Sequence, residues 1–298
     1  MKLLSDFDGV WTYPDEEGAA HGAALDAALE AAVGEDERPA VRAWIARARA
    51  VLRAEPARWG WSVAGRISAF ADEDPFTEHG ALLHYLDEAR ARDPLAAELA
   101  AAVEERDGSL DAFGGRAHVG GVREVEARRG PGITQAATGA GLELLRRGVE
   151  IVVVSNSGTE KLQRWFDHAK LPNTIHPQRA PGALRLRGSA RKFVLAAGGG
   201  ETIEAGGLRI DVARPHYEEV LREERPDAVV GDVFSIDLAL PLALKRREPS
   251  WRHVRLFWLA HPYSSQPMRR ALAGLPAGDV EIVEGGLPGV AERLAGQA

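Results

Sequence analysis

Three short apolar runs, far apart in the chain, each stop at a small or acidic residue: Leu3-Leu4 before Ser5-Asp6, Ile151 to Val154 before Ser155, and Ala228 to Val230 before Gly231-Asp232. Runs this short, with no polar alternation, read as strands buried on both faces of a parallel sheet. In an open parallel sheet the ligand crevice lies beyond the carboxyl ends of the strands, where loops from separate strands converge. Polar groups from three distant segments are therefore expected to meet at one edge. Around these runs, helical periodicity over residues 133–147, 159–169, 217–224 and 289–294 alternates with further strand patterns over 253–259 and 280–283. That alternation predicts an α/β fold built on a doubly wound parallel sheet.

Composition changes after Thr12. From about residue 15 to 130 the chain is rich in Ala, Glu and Arg, with helices expected over 21–33, 38–54, 77–92 and 94–106. In the second of these, Val41, Trp44, Ile45, Ala48 and Leu52 fall on one stripe, the mark of a packed face. The Trp59-Gly60-Trp61 sequence reads as a turn, and Arg66, Ser68, Trp59 and Trp61 are the side chains of this region placed to face a ligand, with aromatic core as the competing role for the tryptophans. Residues 107–132 carry Gly114-Gly115, Gly120-Gly121 and Gly130-Pro131-Gly132, breakers that suit a hinge back into the core and equally a plain surface loop. Residues 183–213 predict an added β-hairpin with Lys192 on its first arm.

Several functions are disfavoured on composition. A formal charge of −7 argues against a broad basic nucleic-acid surface, and the arginines of 42–53 follow a solvated helical face. With no cysteine there is no disulfide, thiolate metal site or cysteine nucleophile. The chain enters a strand at once, with no basic-then-apolar leader and no membrane-length apolar run, so a cytoplasmic protein is expected. No Gly-x-x-x-x-Gly-Lys-Ser/Thr loop, His-Glu-x-x-His pair or Gly-x-Ser-x-Gly elbow occurs. No feature specifies an oligomeric state.

The chemistry-bearing segment is Asp6-Phe7-Asp8-Gly9-Val10-Trp11-Thr12. Two carboxylates one residue apart after a strand can hold a divalent cation and leave one oxygen to attack phosphorus. With the strand ending at Ser155 and with Gly231-Asp232 and Asp237, in that order, the segment resembles the haloacid dehalogenase-like superfamily of phosphatases and phosphotransferases. The resemblance covers residues 1–14 and 131–298, which it makes a catalytic core, and it makes 15–130 a smaller, mainly helical cap that closes over the crevice. Trp11 departs from the family pattern of a smaller aliphatic residue and suggests an unusual wall near the site.

The resemblance implies a magnesium-dependent phosphatase acting on a small soluble phosphorylated metabolite through a phospho-aspartate. A phosphosugar mutase and a catalytically silent phosphate-binding protein are the alternatives. Asp6 is then the nucleophile and Asp8 the acid and base. Asp6, the carbonyl of Asp8 and Asp232 hold Mg2+, Asp237 orients its water shell, and Ser155 with the amide of Asn156 binds the phosphoryl group. The family also needs one cation beside the nucleophile. Only five of the 37 basic residues are lysines, so a lysine here marks a place where the planar arginine fork does not serve. Lys192 lies between the second and last motifs; Arg214, in Arg214-Pro215, and Lys161 are the other candidates.

Overall fold

A computed structural model describes residues 1–296; Gln297 and Ala298, at the end of the expected core range, lie outside the described residues. In chain order the strands are β1 (Lys2–Ser5), β2 (Gly60–Val63), β3 (Arg66–Phe70), β4 (Glu150–Val154), β5 (Asn173–Ile175), β6 (Leu184–Arg187), β7 (Thr202–Ala205), β8 (Leu208–Asp211), β9 (Ala228–Gly231), β10 (Arg255–Leu259) and β11 (Glu281–Val283). The α-helices are α1 (Pro14–Glu30), α2 (Arg38–Ala54), α3 (Thr77–Ala89), α4 (Pro94–Asp107), α5 (Leu110–Arg129), α6 (Gln135–Arg146), α7 (Thr159–His168), α8 (Pro215–Glu224), α9 (Ala239–Arg247), α10 (Gln266–Ala273) and α11 (Gly286–Ala295). The chain divides into two compact units, Met1–Tyr13 with Pro131–Ala298, and Pro14–Gly130.

The first unit holds a seven-stranded sheet in the order β11-β10-β9-β1-β4-β6-β5, with every neighbouring pair parallel. β1 sits in the middle, with β4 on one side and β9 on the other, so the direction of winding reverses there, the place in such a sheet where ligand crevices form at the carboxyl ends of the strands. Leu3, Ile151, Val153, Ala228, Val230 and Phe257 turn one face of the sheet onto α6, α7 and α11. The alternating residues Leu4, Val152, Val229, Leu256 and Trp258 are buried too, which is why these strands read as continuous apolar runs. Trp11 is core rather than a site wall. It is fully buried, its Nε1 donates to Ser5 Oγ at 2.9 Å, and its ring meets Phe166 edge-on at 5.1 Å.

At the opposite, amino end of the strands lies a buried ion pair. Arg185 on β6 donates through Nη1 and Nη2 to the two carboxylate oxygens of Glu224 at 2.8 and 2.6 Å, and Nη2 also reaches Glu150 Oε1 at 2.7 Å. Arg185 and Glu224 are 3% and 1% exposed. Burial works to raise the Glu224 carboxyl, but Arg185 and Lys2 hold it below the usual carboxylate range. Removing Arg185 takes the two shortest side-chain hydrogen bonds from buried Glu224 and leaves it the longer contacts to Lys2 and Arg187 at 3.4 Å, so Arg185→Met is expected to cost about 3 kcal/mol. The check is a lower urea midpoint at unchanged slope.

The second unit is helical except for the antiparallel β2–β3 hairpin. All five residues of the expected stripe on α2 are buried, and they pack with Leu25, Leu82, Leu86, Leu99 and Phe113. Two expectations fail here. Trp59-Gly60-Trp61 leads into β2 instead of forming a turn, and Trp59 joins the core of this unit. Most of the glycine-rich stretch 107–132 is the 20-residue helix α5, whose N-cap Ser109 accepts from Ala112 N at 3.1 Å, and Gly130-Pro131-Gly132 is loop, at the boundary between the two units. Two of the four glycines in α5 serve close packing: a Cβ on Gly121 would lie 2.6 Å from the backbone nitrogen of His21 on α1, and one on Gly114 would lie 2.6 Å from Leu83 Cδ1, while Gly115 and Gly120 face open space. At Gly121 the missing side chain lets two helices touch.

The region 183–213 is also divided differently from the expectation. β6 belongs to the main sheet, only β7 and β8 form the separate hairpin, and Lys192 stands on the loop after β6 rather than on a hairpin arm. The short strand β5 at the sheet edge has no counterpart in the sequence reading. No helix among the described residues is long and apolar enough to cross a membrane.

Candidate active site

Four loops at the carboxyl ends of β1, β4, β6 and β9 carry the candidate residues. After β1 the chain turns at once: Val10 N and Trp11 N donate to Phe7 O, and Gly9 takes φ +73°. A Cβ on Gly9 would fall 2.1 Å from Asp232 Oδ2, so glycine lets the Asp232 carboxylate lie against the backbone of the first motif. Carboxylate oxygens of Asp6, Asp232 and Asp237 fall within 4.8 Å of one another. Two chain segments more than 200 residues apart thus converge, as the strand pattern requires.

The cation among them is Lys192. Its Nζ donates to Asp6 Oδ1 at 2.6 Å and to Asp237 Oδ1 at 2.5 Å, and the residue is 1% exposed. Burial acts to lower the ammonium, but Asp237 and Asp6 outweigh it and hold Lys192 charged far above the usual lysine range. Asp6 is pushed up to about 8, first by burial and then by the charge of Asp237, with Lys192 opposing and Asp8 adding to the rise. One ammonium does not balance the carboxylates gathered here. A hard divalent cation with oxygen ligands would, and this donor set fits one.

Arg214 is not that cation. It is fully buried, and its Nη1 donates to the carbonyl of Lys192 at 2.9 Å. Asn156 accepts from Lys192 N at 2.8 Å through Oδ1, so the Lys192 residue is gripped on both sides by two residues expected to touch phosphate or carry the charge. The loop bearing it includes Ser189 and Arg191 at φ +55° and +51°, a left-handed conformation that costs such residues about 1–2 kcal/mol each. Ser189 N and Ala190 N donate to the carbonyls of Ser157 and Ser155 at 2.8 and 2.9 Å, which holds the strained turn against the second motif.

Ser155 is buried, with its Oγ accepting from Ser157 N at 3.0 Å. Asp8 is held by the Ser157 hydroxyl, which donates to Oδ2 at 3.3 Å, and by Lys161, whose Nζ lies 3.7 Å from Oδ1 and 4.7 Å from the Trp165 ring centre. Lys161 thus faces Asp8, the second aspartate of the pair. Asp237 sits in the π-helical turn Phe234–Leu238, with Oδ2 accepting from Val233 N at 3.2 Å and its carbonyl from Tyr217 Oη at 2.8 Å. Arg66 and Ser68 are on β3 of the helical unit.

Sequence reasoning missed Ser157, Tyr217 and Tyr263, whose hydroxyls hold the aspartates. The nearest signals were the second serine of Ser155-Asn156-Ser157-Gly158 and the tyrosine following Arg214-Pro215. Tyr263 had none.

No family model matches the chain, and no curated protein is similar enough to match. Among solved structures, a hydrolase from Pseudomonas syringae aligns at 14% identity over 100% of this chain and 99% of its own, with a TM-score of 0.44. A haloacid dehalogenase-like family hydrolase from Xanthomonas campestris aligns at 12% identity over 99% and 95%, with a TM-score of 0.42. A 2-haloacid dehalogenase from Pseudomonas syringae pv. Tomato aligns at 16% identity over 100% and 99%, with a TM-score of 0.37. In fold, this chain is similar to these haloacid dehalogenase-like structures.

Proposed function

We propose that this chain is a haloacid dehalogenase-like hydrolase working as a magnesium-dependent phosphatase on a small soluble phosphomonoester, with residues 15–130 as its cap. The supporting observation is the contact between Lys192 Nζ and Asp6 Oδ1 within a group of three convergent carboxylates. Asp6 and Asp232, with the carbonyl of Asp8, would hold Mg2+, and Asp237 would stand behind them while anchoring Lys192. When bound, the ion supplies charge neutralisation for the phosphoryl oxygens.

Asp6 attacks phosphorus as the bond to the leaving oxygen breaks, and Asp8 gives that oxygen its proton. Water then attacks the phospho-aspartate and loses a proton to the Asp8 carboxylate, and the phosphorus–Asp6 bond breaks to release inorganic phosphate. Lys192 offsets the charge between nucleophile and phosphoryl group, and Ser155 hydrogen-bonds the group in transit. Phosphoryl transfer depends mainly on such positioning and charge compensation. Dehalogenation has no use for the proton of Asp8, because a halide leaves as a stable anion.

The test is turnover of an activated aryl phosphate and a panel of phosphorylated metabolites. Activity is expected with Mg2+, lost on chelation and restored by adding the ion back. Release of halide from a haloacid with no phosphatase activity would overturn the reading.

A further inference from the structure

We infer that Tyr263 is a positioning residue for the cation site, and this rests on the function proposed above. Its phenol Oη donates to Asp232 Oδ2 at 2.7 Å from the loop that follows β10. The same strand supplies a second hold, since Trp258 Nε1 donates to the Asp232 carbonyl at 2.6 Å. Both ends of Asp232 are therefore fixed from β10 and the loop after it, which contribute none of the residues assigned to the reaction. The oxygen that accepts from the phenol, Oδ2, is also the one packed against Gly9, where a Cβ would lie 2.1 Å away.

The phenol is itself held in place. Its ring stacks on buried His261 at 4.8 Å between ring centres, with planes 16° apart. The loop closes on itself through His261 N to Ser264 Oγ at 2.9 Å and Ser264 N to His261 O at 3.0 Å. Arg269 of α10 then pins it, donating through Nη2 to His261 O at 2.6 Å and through Nε to Ser264 O at 3.3 Å. Groups that hydrogen-bond a metal-ligating carboxylate set its direction, and their loss costs about 10- to 100-fold in metal affinity. A tyrosine hydroxyl suits the task, because it donates one directed hydrogen bond and adds no positive charge to compete with the ion.

The experiment is Mg2+ titration calorimetry on the wild-type chain and on Tyr263→Phe, with unfolding of both in chelator and steady-state rates across Mg2+ concentration. Tyr263→Phe is expected to bind Mg2+ about 10- to 100-fold more weakly. The midpoint of unfolding in chelator is expected to fall by no more than about 4 °C, the cost of one hydrogen bond in a chain of this size. Saturating Mg2+ is expected to return kcat toward the wild-type value. Wild-type binding matched by equal binding in Tyr263→Phe would overturn the assignment of Tyr263 alone, as would a loss of kcat that saturating Mg2+ leaves in place. No Mg2+ binding by the wild-type chain would overturn the phosphatase reading and this inference with it.

Discussion

On the proposed function, Asp6→Asn is expected to abolish turnover, by roughly 10,000-fold or more, while the fold survives. The amide keeps an oxygen to accept from Lys192 Nζ but is no nucleophile at phosphorus, and removal of a covalent nucleophile costs this order of rate. Stability in chelator moves the other way. The Asp6 carboxyl is buried beside Asp237 and Asp8, and its raised pKa, about 8, means that ionising it opposes folding as pH rises from the unfolded-state value toward 8. Asn carries no such charge, so at pH 8 the metal-free variant is expected to melt no lower than the wild type. The Mg2+-dependent rise of the midpoint, which reports binding to the folded state, is expected to vanish. A variant that keeps measurable phosphatase activity would remove Asp6 from its assigned role.

Lys192→Met gives the second large effect, and here rate and stability fall together. Losing one preorganised charge beside the transferring group costs on the order of 100- to 1,000-fold in kcat. Asp6 and Asp237 are at the same time left without their ammonium in a buried site, a penalty of about 3–5 kcal/mol in chelator when one partner of such a pair is removed. Mg2+ is expected to return part of that stability, since a divalent ion takes over some of the lost compensation, without returning the rate. Arg214 is too committed to the Lys192 carbonyl to stand in. A rate within tenfold of wild type in Lys192→Met would show that another group supplies the charge.

The features legible in sequence were those set by local chemistry. Apolar runs broken by acids placed Asp6 and Asp232 at strand ends because a strand buried on both faces has no other place for charge. Lys192 stood out because a chain that uses arginine almost everywhere keeps lysine where a compact ammonium fits. The helical stripe on α2 was readable because its period repeats over four turns. What failed depended on tertiary contact. Glycines in α5 read as breakers, since nothing local distinguishes a glycine that ends a helix from one that lets a second helix approach. β6 read as a hairpin arm because its pairing with β4 and β5 is a fact of the sheet, not of four residues. Arg214 matched the cation's place in the motif order, yet its Nη1 donates to the Lys192 carbonyl, a partner that only the folded loop brings within reach. Tyr263, 31 residues beyond Asp232, belongs to the same class.

The chain leaves the sheet unit and comes back to it through one small doorway: Thr12 pairs with Ile133 in an antiparallel bridge, and Thr134 N donates to Trp11 O at 2.9 Å. Everything between is a detour whose two ends are already stitched together. Because the entropy of closing such a detour grows only with the logarithm of its length, each doubling adds only about 0.6 kcal/mol. An excursion of very different size or content would tax the sheet about equally. The sheet and the excursion are thus coupled, through the chain itself, only at this narrow seam.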